Sequence, residues 1–511
     1  MASPDRRMYT VFALMLASFL TAVDVTIVDT AMPRIVGSLG GFSLLTWVIT
    51  AYMLTSTATV PVYGKLADII GRKKTFTLGA IIFLLGSALC GISNSMVQLI
   101  IFRGLQGLGA GAIQPTVQTI IGDIFTPAER AKMQAWFSGV WGFSALVGPL
   151  VGGLMVDFVS WRWLFYINLP LGALALFMVW RHLSEEVQKR ETTVDYIGSA
   201  TITTGLVALL LALKFGGNEL AWTSPQVLGL LGSAVLMLVL FILQERRAKD
   251  PMMPLWLFTR PIIGLSVLTT FMVGGVMYGT SVYLPIWAQG VQGFTATRSG
   301  MSLLWLSVGW PIASIIGGRF IMRMGSRPAM VLGLGLNLAA TVGLALLGRT
   351  VHQIPEVAFA MVTFVIGAGM GFSQLASVLA VQNSVEWGQR GVATALLTFQ
   401  RTLGGLVWVS VMGSAMNLTL LRRMQAIPGI SAATTQEAGD IANNLLDPHT
   451  WGLLPAGQLD ALREALAFAL RNVHLLMVLA AVLSLAVAFL LPNMRFSQQQ
   501  PQPAAAGAKK E

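Results

Sequence analysis

The sequence predicts an all-α polytopic membrane protein built as two six-helix repeats with two further helices between them, fourteen spans in all. Three observations carry this. Only 11% of the 511 residues are charged while 55% are hydrophobic, against roughly 25% charged in an ordinary soluble domain. That leaves far too little polar surface for a water-soluble chain of this length. Apolar runs long enough to span a bilayer, about 20 residues each, recur along the whole chain. The chain also repeats itself, as shown below.

The expected spans, in order, are 10–31, 44–63, 75–93, 98–121, 132–156, 163–180, 196–214, 225–243, 261–286, 299–318, 329–348, 356–379, 393–417 and 468–491. Fourteen spans consume about 280 residues, which matches 55% of the chain. No stretch alternates strictly between apolar and polar, which disfavours a β-barrel. The first run is too long for a signal-peptide core. It carries Asp24 and Asp29 and lacks a small-residue cleavage site, so it is expected to stay as a span.

Placing the N-terminus inside puts about 22 of the 33 basic residues on the inner side and about nine outside, with Arg103 and Arg401 within spans. The positive-inside rule then sets both termini in the cytoplasm of a plasma membrane, the cytoplasmic membrane of a bacterium. The net charge of +11 is spread over short loops rather than gathered in a patch, so it sets topology and does not point to nucleic acid. The segment from about 418 to 467 becomes a long outside loop in which 458–467 forms a short amphipathic helix. The tail over 496–511 is expected to be disordered.

The repeat is visible at three places. GKLADIIGRKK at 64–74 aligns with GRFIMRMGSRP at 318–328, GLGAGA at 107–112 with GAGMGF at 367–372, and ERAKMQA at 129–135 with QRGVATA at 389–395. Two six-helix units account for 1–182 and 259–495. The interval 183–258 holds the two additional spans. Repeats with a site between them are a feature of secondary transporters.

The loop 64–74 sits between two spans. Gly64 and Gly71 permit close approach and a tight turn. Asp68 can face the positive end of a neighbouring helix. Arg72, Lys73 and Lys74 can pair with Asp123 or with lipid phosphates. This loop resembles the hallmark of the major facilitator superfamily. Three further segments resemble its fourteen-helix drug:proton antiporter branch: VDVTIVDTAMP at 23–33, with Asp29 where Asn is usual, FRGLQGLGAG at 102–111, and GFSALVGPLVGG at 142–153 followed by WRWLFYINLPLG at 161–172. The likeness covers nearly the whole chain. It departs in the second loop copy, where Met322 replaces the Asp and Ser326 the first Arg, so a gating latch there is expected to be weaker.

Asp24 is the first acid inside a span. A helix entering near Tyr9 carries it about 22 Å up, at 1.5 Å per residue. Arg103 lies about 8 Å below the outer surface on a helix entered at Gln98, close to the same depth. A charge inside the bilayer is costly and functional by default, so Asp24 and Arg103, with Asp29 nearer the interface, are the expected proton-coupling residues. An ordinary structural salt bridge is the competing interpretation. The cluster Gly148, Pro149, Gly152 and Gly153 bends its helix or lets a neighbour approach; the resemblance ties it to exchange rather than uptake. Arg401, aligned with Trp141 in the repeat, has no evident acid partner in its own half, and an anion or a backbone carbonyl remain alternatives for it. Trp47, Tyr52, Gln106, Trp141, Tyr278, Trp305 and Arg401 are candidates for a substrate cavity, each aromatic being equally able to serve packing or an interfacial belt.

The single Cys90 excludes a disulfide framework, and the four His are unclustered, so no metal site or cofactor is expected. With no phosphate-binding loop, ATP is not the direct energy source. What the resemblance implies is a proton-coupled antiporter exporting amphipathic, often cationic, small molecules by alternating access. The alternatives are a proton-coupled transporter of one metabolite and a membrane-embedded receptor or enzyme. The expected partners are a small-molecule substrate, protons and membrane lipids. A monomer is expected, and an outside adaptor subunit is left open.

Overall fold

The computed structural model describes residues 4–39, 45–183, 185, 195–216, 220–248, 251, 253, 255–294, 296–348, 355–386, 389–427 and 456–494. Among them the regular structure is helical, with one isolated bridge between Gly216 and Leu220. In order the helices are α1 (Pro4–Leu39), α2 (Leu45–Ile70), α3 (Arg72–Gly91), α4 (Met96–Ile124), α5 (Pro127–Phe158), α6 (Trp163–Tyr166), α7 (Asn168–His182), α8 (Tyr196–Phe215), α9 (Pro225–Arg247), α10 (Trp256–Thr259), α11 (Pro261–Gly290), α12 (Ala296–Met324), α13 (Ser326–Leu347), α14 (Glu356–Asn383), α15 (Arg390–Met424) and α16 (Ala456–Phe489). Among the described residues, eleven helices are long and apolar enough to cross a membrane.

Local chemistry sets the helix starts. Ser95 caps α4 by accepting from the Gln98 amide. Thr126 and Glu129 form a reciprocal capping box at α5, with Pro127 in the first turn. Asp195 and Ser224 cap α8 and α9. The joints α2–α3 and α12–α13 are single residues, Gly71 and Gly325, both at φ +94°. A side chain is strained in that left-handed conformation, so glycine is required at both copies of the loop.

The packing repeats as the sequence does. In the first half α4 packs on α2 and α3, and α1 on α5 and α7. In the second, α14 packs on α12 and α13, and α11 on α15 and α16. Two contacts join the halves, α5 with α12 and α2 with α15. The helices α8 and α9 pack on each other, and α8 also touches α2 and α15.

The structure corrects the expected long loop over 418–467. Its first residues belong to α15, and 456–467 form the start of α16 rather than a separate short helix. The reason is packing. Leu462, Ala465, Leu466, Ala469, Leu470 and Val473 recur at helical spacing and are all buried, so the amphipathic stretch and the last apolar run share one face. The middle of that loop, 428–455, and the tail from 495 onwards lie outside the described residues.

Candidate functional site

Two charged constellations stand apart, one within the first half and one joining it to the second. The first is a buried polar cluster on α1, α3, α4 and α7. Asp24 is 2% exposed and Arg103 1%. They meet at 2.6 Å, Arg103 Nη1 donating to Asp24 Oδ2. The two charges expected to pair across α1 and α4 do meet. Asp24 Oδ1 also accepts from Gln106 Nε2 at 2.8 Å and from Asn168 Nδ2 at 2.9 Å. The carboxylate thus accepts three side-chain hydrogen bonds, one of them from a guanidinium.

The shell extends outwards. Gln106 Oε1 accepts from Arg103 Nη1 at 2.8 Å and faces the Cys90 thiol. Asn168 also donates to Ser87 Oγ, which donates on to the Phe165 carbonyl. The Arg103 guanidinium lies over the Tyr52 ring, 4.2 Å from its centre. Tyr52 and Gln106, expected at a substrate cavity, thus belong to the ion-pair cluster. Asn168 and Ser87 join it beyond the expected residues. Asn168 stands inside the quoted segment 161–172, but one neutral amide in an apolar run does not reveal which way it faces. Asp29 lies in α1, five residues beyond Asp24, with its side chain outside the described residues.

The second constellation closes one end of the bundle. Asp68, at the end of α2 beyond the apolar run, accepts from the Gly391 and Val392 amides at 3.1 and 2.9 Å. It therefore sits on the first-turn amides of α15, in the other half, which have no partner within their own helix. Arg72 bridges Asp68 at 2.9 Å and Asp123 at 3.0 Å. Asp123 also pairs with Arg390 at 3.4 Å. Arg130 donates to Gln382 across the same seam at 3.2 Å. Burial pushes the Asp68 carboxyl up to about 7, with Arg72 and the two amides pulling the other way.

Glu185 caps α3 through the Arg72 and Lys73 amides, and the Lys73 ammonium reaches the Trp180 and Leu183 carbonyls. Gly64 faces Ala395 so closely that no side chain fits between α2 and α15. In the second loop copy, Asn493 and Met494 take the place of Glu185, pairing with Arg327 and Ser326. Met322 supplies no carboxylate, and the bonds described across the seam run from Asp68, Asp123 and Arg130 of the first half.

The remaining expected residues are dispersed. Gly148 on α5 packs against Thr26 of α1. Gly152 is buried, while the side-chain surroundings of Pro149 and Gly153 lie outside the described residues. Trp47 packs on Phe215 of α8, ring centres 5.6 Å apart. Trp141 and Trp305 are each nearly half exposed. Tyr278 packs on Gly405, one turn beyond Arg401 on α15, whose Nε is buried without a hydrogen-bond partner. Among the described residues no group of three or more metal-ligating side chains gathers.

The family model described as Major Facilitator Superfamily matches residues 14–409. The chain is 38% identical over 455 residues to a multidrug transporter protein, MdtP, of Bacillus subtilis, covering 88% of this chain and 83% of that protein. It is 35% identical over 483 residues to multidrug resistance protein 3 of the same organism, covering 93% of each. In fold it is similar to the crystal structure of a bacterial homologue of the iron transporter ferroportin in an outward-facing state. There the TM-score is 0.61 with 12% identity, over 94% of this chain and 98% of the other.

Proposed function

We propose that this chain, which belongs to the major facilitator superfamily and is a multidrug-type membrane transporter rather than an enzyme, exports amphipathic and cationic small molecules in exchange for protons by alternating access. The observation that carries the coupling is the buried Asp24–Arg103 pair. A proton arriving at Asp24 removes the negative charge that holds Arg103, Gln106 and Asn168 together. An uncompensated buried Arg103 then favours a rearranged bundle. Loss of the proton restores the pair. One carboxylate can in this way link protonation to helix position.

The closed seam at Asp68, Arg72, Asp123 and Arg390 supports a state sealed on the cytoplasmic side. Opening that side means lifting Asp68 from the α15 amides. In our interpretation every helix other than the four-residue α6 and α10 crosses the membrane. That gives fourteen spans arranged six, two and six, with both termini in the cytoplasm and a monomer as the working unit.

The test uses purified protein in liposomes with an imposed pH gradient. Dye efflux and proton release are followed together across a panel of compounds. Efflux of several unrelated compounds, each with proton movement, is expected. Transport of a single metabolite would replace the drug reading with a metabolite-specific one. Efflux without proton movement would overturn the coupling.

A further inference from the structure

A cleft between α1, α5 and α12 takes no part in either constellation. It encloses about 1290 Å³ and is lined by Phe12, Met15, Leu16 and Phe19 of α1, by one face of α5 and by one face of α12. Drug-sized pockets run to about 300–1,000 Å³ and are largely enclosed. This one is wider and open-sided: Phe12, Trp136 and Phe143 are each more than half exposed.

Its charges are one-signed. Lys132 from the second turn of α5 and Arg319 and Arg323 from the last turns of α12 line it, and among the described residues no acid does. Arg319 and Arg323 are four apart and so share a helix face. Among the described residues no hydrogen bond or ion pair engages any of the three, in contrast to Arg72, Arg103, Arg130 and Arg390. Ordinary loop cations that set topology have no need to line a cavity. Arg319 and Arg323 lie in the last two turns of α12 before Gly325 and Lys132 in the second turn of α5, while Phe12 to Phe19, Trp136, Val140, Phe143 and Ile315 line the cleft as an apolar trough. A band of cations beside an apolar trough matches a phosphate followed by acyl chains.

We propose that this cleft is a binding site for an anionic phospholipid of the cytoplasmic leaflet. The headgroup phosphate lies among Lys132, Arg319 and Arg323, and an acyl chain lies along Phe12, Trp136 and Phe143. Basic pockets between transmembrane helices on the cytoplasmic side are suited to such headgroups. The cleft crosses the α5–α12 seam that joins the halves, so a bound lipid bridges both. The leaflet rests on the orientation proposed above. The binding itself does not depend on proton coupling, so a protein that binds the lipid without exchanging protons leaves this proposal standing.

The test is native mass spectrometry of the delipidated full chain, titrated with phosphatidylglycerol or phosphatidylcholine. Wild type is expected to bind one phosphatidylglycerol at least about tenfold more tightly than phosphatidylcholine. The Lys132→Gln, Arg319→Gln, Arg323→Gln triple variant is expected to lose that preference. The Arg246→Gln, Arg247→Gln variant, which removes exposed cations from the end of α9, is expected to keep it. Gly139→Leu alters no charge. A Cβ at Gly139 meets nothing within 4 Å, so leucine is accommodated in the fold, fills the trough and is expected to weaken binding of both lipids. Unchanged preference in the triple variant, or full binding in Gly139→Leu, would overturn the proposal. Equal competition by glycerol phosphate would also overturn it, because the trough would then contribute nothing. So would displacement by the exported cationic dyes, which would make the cleft a drug site.

Discussion

Asp24 is neutralised in charge but not in chemistry. Its carboxylate is matched by one guanidinium and two amides, all on helices other than its own. Removing one partner of a buried pair leaves the other uncompensated, at a cost of about 3–5 kcal/mol. Asp24→Asn keeps the shape and an acceptor oxygen for Arg103. It is therefore expected to insert and fold with a lowered thermal midpoint, yet to lose proton-driven efflux down to the background of empty liposomes. Efflux at the wild-type rate would refute the role of Asp24. Asn168→Ala removes one donor to the carboxylate and one to Ser87. It is expected to uncouple partially, lowering the number of protons released per dye exported while dye binding stays unchanged. Asp24 and Arg103 were legible in the sequence because a charge inside an apolar run is costly and stands out from its neighbours. Asn168, Ser87 and the placement of Gln106 were not. Neutral polar residues are ordinary in spans, and only the crossing of four helices shows which of them face Asp24.

The latch at the seam belongs to the meeting of α2 and α15. The sequence indicated that Asp68 would face a helix start, and the Gly64–Gly71 spacing indicated close packing. It did not indicate which helix, because the partner lies more than 300 residues away. The sign of the pH effect follows from burial. In the closed seam the Asp68 carboxyl stands at about 7, above its ordinary 3.8. The closed form therefore binds a proton more tightly than an open form in which Asp68 meets water. Acidification favours closure, an advantage complete below about 4 and lost as pH rises through about 7. Labelling of a cysteine placed at the seam is expected to slow as pH falls from 8 to 5, and in Asp68→Asn to keep only the weaker dependence left by Asp123, whose carboxyl burial also pushes up. Faster labelling at low pH would refute the assignment. Gly64→Leu acts on geometry alone. With Ala395 already in contact, a leucine there holds α2 and α15 apart. Seam labelling is expected to be fast at every pH and turnover to fall steeply.

At the scale of the whole molecule, the all-helical membrane class and the internal repeat were legible because hydropathy and the loop motif recur along the chain, while eleven of the described helices are long and apolar enough to span. The extent of the last helix was not, since an amphipathic stretch can lie free or continue a neighbour, and only the buried faces of Leu462 and Leu466 decide that. The same scale governs which substrates the protein can carry. A dication needs two negative partners on its path, whereas the one acid described deep within the first bundle is already paired with Arg103. Arg401 adds a positive charge on α15 beside Tyr278, with no carboxylate bonded to it among the described residues and its Nε without a partner. A second positive charge passing close to it is repelled, and a single charge spread over an aromatic ring is repelled less and can stack on Tyr278. Neutral and monocationic aromatic compounds are therefore expected to be exported faster than matched dications. Arg401→Ala removes the repulsion and is expected to narrow that difference while leaving monocation efflux in place. Matched mono- and dicationic dyes in the same liposomes give the measurement. Wild-type efflux of dications equal to that of monocations would refute the charge argument, and an Arg401→Ala protein with undiminished discrimination would move its origin away from α15.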